Sequence, residues 1–247
     1  MADHDLTRGG TRLAVVGRGR LGTAIAGALR TQPQFDLAGP LGRGDGVAGC
    51  DAVLLCVPDR EIAAAAAALP KGRLIVGHCS GATGLEPLAG HEAFSLHPLM
   101  TVSEAETRFR GATAAIDADT DRALELAILI ARALEMEVVR VAPGDRVAYH
   151  AAASIASNFL LTLEAAAERL ATTAGVTRQM LAPLVRATVE NWVDVGAERA
   201  LTGPVARGDE ATVAAQRQAV SERTPALLPL FDAMTAATRE LAGVNPR

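Results

Sequence analysis

Short apolar runs recur along the first half of the chain, separated by stretches whose apolar positions follow the helical period. Residues 13–16, 35–41, 52–57, 74–77, 93–96, 112–116 and 138–141 each read as a short buried strand. Between them, residues 23–29, 63–69 and 121–135 have the spacing of covering helices, the last opening after Asp119-Thr120, a good N-cap. Strand and helix in alternation build a doubly wound, mainly parallel sheet, so the expected class is α/β. After Val141 the pattern changes: Ala142-Pro143-Gly144-Asp145 reads as a turn, and the rest of the chain is helical to the end. The spacing predicts helices over 145–173, 177–199 with a kink at Pro183, 209–221 and 224–241. Two domains are therefore expected, 1–142 and an all-α 143–247. The first long helix is alanine-rich and apolar almost all round, which suggests burial between domains or subunits.

The first strand runs into Gly17-Arg18-Gly19-Arg20-Leu21-Gly22 and then a helix. That order gives a glycine turn its meaning. The first glycine permits the tight turn, the second lets backbone approach a pyrophosphate, and the third lets the helix pack on the strand, while the helix N-terminus offers N–H groups to phosphate. Gly17, Arg18, Gly19, Arg20, Leu21 and Gly22 are thus expected to bind a dinucleotide, with Cys56, Val57 and Pro58 at the end of the third strand lining the same cofactor. The second strand ends in Leu41-Gly42-Arg43-Gly44 with no acid, so Arg43 favours NADP over NAD; Asp45, two residues on, keeps a ribose contact open.

Composition narrows the partners. A net charge of −4 without a basic block gives no support to nucleic acid or an anionic membrane. No apolar run has the length of a membrane span, and Met1-Ala2-Asp3-His4-Asp5 lacks the order of a signal peptide, so the expected location is the cytoplasm. Cys50, Cys56 and Cys79 have no metal-ligand spacing, and no metal is expected; they read as reduced thiols. The chain has one lysine, Lys71, one tyrosine, Tyr149, and one tryptophan, Trp192.

Polar groups at strand ends and on the long helix supply the candidate chemistry. His78-Cys79-Ser80-Gly81 follows the fourth strand, where the nicotinamide end of a cofactor lies; Ser80 either contacts cofactor or substrate or closes a turn, and His78 reads more readily as a core histidine. His97, before Pro98, ends the next strand. On the long helix His150, Ser154 and Asn158 recur at i, i+4 and i+8, a stripe that either sets helix packing or faces the cleft, with His150 as proton donor and Asn158 orienting substrate. Arg207 could clamp a carboxylate, and Asp209 reads as the N-cap of the following helix.

Taken together these stretches, with Cys56-Val57-Pro58-Asp59, Ser95-Leu96-His97-Pro98-Leu99, Tyr149 to Ser154 and Leu201-Thr202-Gly203-Pro204, resemble a bacterial family of Rossmann-like proteins whose helical C-terminal half is a domain of unknown function of the DUF2520 type. More distantly the chain looks like the pyrroline-carboxylate reductases, ketopantoate reductases and 3-hydroxyisobutyrate dehydrogenases. The resemblance implies a Rossmann sheet followed by a helical domain like the C-terminal domain of 6-phosphogluconate dehydrogenase, and a homodimer through that domain. It also implies an NAD(P)-dependent reductase; with Arg43 and Arg207 the expected activity is NADP-dependent reduction of a C=O or C=N bond of a small carboxylate-bearing metabolite held between the two domains. His150, Asn158, Ser80 and Arg207 are then the expected catalytic set. One departure stands out. Where Asn158 is matched to the asparagine of the hydroxyacid dehydrogenases and ketopantoate reductases, Ser154 occupies the position of their catalytic lysine, and Lys71 precedes a strand at the wrong sheet edge. The lysine's absence leaves His150, His97, Tyr149, a hydroxyl or water as the proton donor, and it leaves an alternative, a non-catalytic NADP-binding sensor or scaffold.

Overall fold

The computed structural model describes residues 10–102 and 108–243; residues 1–5, where a leader would begin, lie outside that range. Seven strands, β1 (Thr11–Val16), β2 (Phe35–Leu41), β3 (Ala52–Leu55), β4 (Ile75–His78), β5 (Glu92–Leu99), β6 (Thr113–Ala118) and β7 (Glu137–Arg140), form one sheet in the order β2-β1-β3-β4-β5-β6-β7. The first five are parallel; β6 runs antiparallel to β5, and β7 parallel to β6. The chain steps outward from β1 to β2 and then crosses back to β3. Strand order therefore reverses between β1 and β3, and the crevice beyond their carboxyl ends is where an open α/β sheet takes a ligand.

Burial on both faces explains why the inner strands read as continuous apolar runs, while the edge strands β2 and β7 are partly or wholly exposed. On one face Leu13, Leu54, Ile75 and Phe94 pack with Ile25 and Leu29 of α1 (Arg20–Leu29) and Leu126 and Ile130 of α3 (Asp121–Ala133). On the other, Ala14, Val53, Leu55 and Val76 meet Ile62 and Ala66 of α2 (Ile62–Ala67). Leu13, Leu54 and Ile75 have no exposed surface. Each such side chain contributes about 1.5–3 kcal/mol of transfer free energy. Thr120 caps α3 as expected, its Oγ1 accepting the Ala123 N–H at 3.1 Å.

The helix expected over 145–173 is interrupted. It consists of α4 (Arg146–Ser154), a π turn at Ile155–Phe159 and α5 (Leu160–Thr172). Beyond it lie α6 (Arg178–Val195), with Pro183 inside it, α7 (Ala197–Ala200), α8 (Glu210–Arg223) capped by Asp209, and α9 (Leu228–Leu241). Gly196, at φ 79°, ends α6 short of the expected Arg199. The chain divides into two compact units after Ser157. The expected boundary near Pro143 falls ahead of α4, whereas α4 belongs to the first unit because Arg146 is bonded to the sheet edge. In the second unit, among the described residues, only Val213, Val220 and Thr224 are buried.

Candidate functional site

The glycine turn is shaped by backbone contacts that no side chain would survive. Gly17 leaves β1 at φ +128°, and a Cβ there would stand 2.2 Å from the Cys56 carbonyl oxygen; a Cβ on Gly22 would stand 2.0 Å from that of Gly17. Gly19 is the opposite case, with nothing within 4 Å of its would-be Cβ. The Gly17 N–H donates to Leu41 C=O at 2.8 Å and the Cys56 N–H to Val16 C=O at 2.7 Å, fixing the turn between β2 and β3. Gly19 is also the N-cap of α1, with no side-chain cap and no acidic residue in the first turn. The N–H groups and positive end of the helix dipole are thus left for an anion.

A cleft of about 810 Å³ opens at this point. Of the expected cofactor residues Gly17, Arg18, Gly19, Arg43, Cys56, Val57 and Pro58 line it, while Arg20, Leu21 and Gly22 form the first turn of α1 and do not. The cleft's other wall is Glu61, Ala64, Ala65, Ala68 and Leu69. The alanine run, expected only as a packed helix, thus has a second effect: its small side chains leave the room. At the rim, Asp45 Oδ2 accepts from Arg18 Nη2 and from the Gly42 N–H, both at 2.8 Å. Arg43 is 89% exposed and pairs with Glu61 at 3.1 Å.

Beyond β4 and β5 lies a second set of polar groups. His78 Nε2 is 2.8 Å from the Gly84 carbonyl, and its Nδ1 lies 3.2 Å from the Ser80 N–H, so the neutral ring donates at one nitrogen and accepts at the other. Burial pushes its pKa down, in keeping with the neutral form. Ser80 Oγ accepts the Thr83 N–H at 3.0 Å and donates to Asp59 Oδ2 at 2.7 Å. The serine therefore closes a turn, the plainer of its two expected roles. Its carbonyl accepts from Arg146 Nη2 at 2.9 Å, and Ser95 Oγ accepts from Nη1 at 2.8 Å.

His97 Nδ1 lies 2.7 Å from the Tyr149 hydroxyl, and its ring meets those of Tyr149 and His150 edge-on at 5.6 and 6.0 Å. Gly81 sits beneath two of these rings, since a Cβ there would be 2.8 Å from His150 Cδ2 and 2.9 Å from His97 Cε1. Burial, then the neighbouring His150 and Arg146, holds the His97 pKa down to about 4. Burial raises that of Tyr149, with Arg146 opposing. Ser80, His97 and His150 are thus brought together. Asn158 and Arg207 belong to the second unit and are not buried, and Ser154 turns its hydroxyl back onto the His150 carbonyl at 3.1 Å. Tyr149 and Arg146 were absent from the expected catalytic set. Tyr149 was legible only as one of several alternative proton donors once the lysine was missing, and Arg146 carried no signal.

Three further observations bound the chemistry. Lys71 donates to the Ala89 carbonyl at 3.3 Å and lines, with Arg73 and Arg122, a separate cleft of about 490 Å³ beside the start of β4. Cys56 and Cys79 are free thiols with Sγ atoms 3.6 Å apart. Among the described residues no helix is long and apolar enough to cross a membrane, and no three metal-ligating side chains converge.

A doubly wound sheet with a glycine turn at its switch point, followed by a helical unit, defines the Rossmann class with a helical C-terminal region. The family described as "Domain of unknown function (DUF2520)" matches residues 112–238, more than half of the chain, and the chain belongs to that family. Comparison with curated protein sequences finds no match. Among solved structures the fold is shared with the Thermotoga maritima protein TM1727, at 24% identity and TM-score 0.77 over 94% of this chain and 98% of that one. It is shared also with a reductive aminase from Aspergillus terreus in complex with NADPH and ethyl levulinate, at 16% identity and TM-score 0.66 over 95% and 98%. A third is the 1-pyrroline-5-carboxylate reductase of Streptococcus pyogenes, at 12% identity and TM-score 0.61 over 94% and 99%.

Proposed function

We propose that the chain is an NADP-dependent reductase of a small molecule. The observation that carries the reading is the glycine turn: two positions closed to any side chain, one open, and an uncapped helix N-terminus, all at the β1/β3 switch point. These residues fit a dinucleotide's pyrophosphate. Arg18 and Arg43 at the rim, paired there with Asp45 and Glu61, supply the cations that the extra phosphate of NADP calls for. The fold shared with a reductive aminase in complex with NADPH and with a 1-pyrroline-5-carboxylate reductase supports the same reading.

When bound, the reduced nicotinamide supplies a hydride to a C=O or C=N carbon. The chain's part is to place the reacting groups and move a proton. His97, Tyr149 and His150 gather over Gly81 beyond β4 and β5, and Ser80 with His78 holds the loop that carries Gly81. Asn158 and Arg207 are proposed to orient the substrate and its carboxylate, and the second unit to pair two copies of the chain in the cytoplasm. The missing lysine favours one other reading, a protein that binds NADP without turnover.

Titration with NADPH and NADH, followed by thermal shift, tests the proposal. NADPH is expected to stabilise the protein at lower concentration than NADH, and Arg43→Ala and Arg18→Ala to erase that preference. Binding of neither nucleotide would reject it; NADPH binding with no oxidation across a panel of oxo acids, ketones and imines would favour the sensor.

A further inference from the structure

The reductase reading, on which this inference rests, requires a proton donor with a source of replacement protons. His150 makes no ring hydrogen bond among the described residues, whereas the Tyr149 hydroxyl is joined to His97 Nδ1 at 2.7 Å. Below that pair lies an unusual charge. Arg146 is 3% exposed, its two terminal nitrogens are held by neutral oxygens of Ser95 and Ser80, and its Nε has no partner. No carboxylate lies within ion-pair distance of it among the described residues.

A buried guanidinium with no carboxylate in ion-pair contact disfavours a second positive charge nearby and favours a negative one, a field that Asp117 and Glu86 offset in part. The other charged or titratable groups around the pair are Asp59, Glu86, Asp117, His78 and His150. Asp59 and Glu86 are exposed and therefore screened, while Asp117 is buried, accepts the Ala118 N–H at 2.9 Å, and faces Arg146 without touching it. An imidazolium at His97 is thus unavailable near neutral pH, while Arg146 offsets part of the burial cost of a transient phenolate at Tyr149.

We propose that Tyr149 is the catalytic acid, refilled through His97, and that the group reduced is a carbonyl whose oxygen becomes negative, not a preformed iminium cation. As the carbonyl carbon gains the hydride, the C=O π pair moves to oxygen, and the Tyr149 O–H bond breaks to give that oxygen its proton. The phenolate takes the proton from His97 Nδ1, and Nε2 takes one from water. Neutral histidine serves by exchanging one N–H for the other. The products are an alcohol and the oxidised nicotinamide, with one proton drawn from solvent.

Tyr149 is the only tyrosine, so alkaline absorbance reports its ionisation alone and without cofactor. The phenol is expected to titrate above its ordinary value of 10, and His97→Phe to raise the midpoint by about half a pH unit or more as the N–H donor to the phenolate is lost. An unchanged midpoint overturns the relay. In turnover with NADPH and an oxo acid, Tyr149→Phe is expected to lower kcat about 100-fold or more while NADPH binding by thermal shift stays within about threefold, and His150→Gln to cost less than Tyr149→Phe. Retained kcat in Tyr149→Phe, or cyclic imines consumed faster than oxo compounds, overturns the assignment. A protein that binds no NADPH overturns the reductase reading and the catalytic role with it, and the tyrosine titration then separates that failure from the absence of a coupled pair.

Discussion

The three glycines of the turn obey different rules, and substitution separates them. Gly17→Ala must place a methyl against the Cys56 carbonyl at a backbone conformation hostile to L side chains, and Gly22→Ala against that of Gly17, so each is expected to lose roughly 1–3 kcal/mol in a denaturant titration. Gly19→Ala meets open space and is expected to keep stability while weakening NADPH binding about tenfold or more. Equal stability loss at all three would mean that the turn is purely structural. His97 carries the pH dependence. Its folded pKa, about 4, lies below the ordinary 6.5, so the unfolded chain binds the proton more readily; its contribution is intact above pH 6.5 and is lost as pH falls towards 4. That interval corresponds to about 3 kcal/mol at most, and His78, shifted the same way, adds to it. The thermal midpoint should fall between pH 7 and 4.5, and less steeply in His97→Gln; identical slopes would rule His97 out as the cause. The turn was legible in the sequence because each glycine answers a local steric demand. The Arg146–Ser95 and Tyr149–His97 bonds were not, because they join residues 51 and 52 positions apart that only the sheet edge brings together.

At the scale of elements, the strands were legible wherever two faces are buried, as in β1, β3 and β4, whose residues pack alternately against α1 and α3 or against α2. The starts of α3 and α8 were legible through their caps, Thr120 and Asp209. Thr120 both accepts the Ala123 N–H and donates to Glu92 Oε2 at 3.2 Å, so Thr120→Ala is expected to cost about 1 kcal/mol and Thr120→Ser little, by chemical unfolding. A loss below a few tenths of a kcal/mol would show that the cap adds nothing beyond the packing of α3. The π turn at Ile155–Phe159 was illegible. A single wide turn changes which backbone groups bond but not which residue types occupy the helix, and in an alanine-rich stretch the apolar period cannot register one extra residue. Its consequence falls on the stripe: Asn158 lies inside the wide turn, so the even spacing expected of His150, Ser154 and Asn158 does not hold along this helix.

The second unit poses a problem of surface. Among the described residues α5, α6 and α9 bury none of their side chains, and Leu161, Leu184, Trp192 and Val193 are 68, 66, 56 and 68% exposed. Helices owe most of their stability in water to the packing of an apolar stripe, so a chain that leaves these stripes open is short of the burial that three or four helices need. A second copy of the same surface meets the need at no cost in new sequence, since a two-fold interface matches a patch to itself. Light scattering on the purified protein is therefore expected to give twice the 25.5 kDa chain mass. Trp192, the only tryptophan, supplies the local reading. In the dimer its emission should be blue-shifted and resist acrylamide, and Leu184→Asp with Val193→Asp should shift the mass to one chain and the emission to the red together. A single-chain mass at micromolar concentration would reject the dimer. A dimer whose mass survives both substitutions would place the interface elsewhere, and the exposed edge strand β7, where Val138 and Val139 are 39 and 42% exposed, would be the next surface to alter.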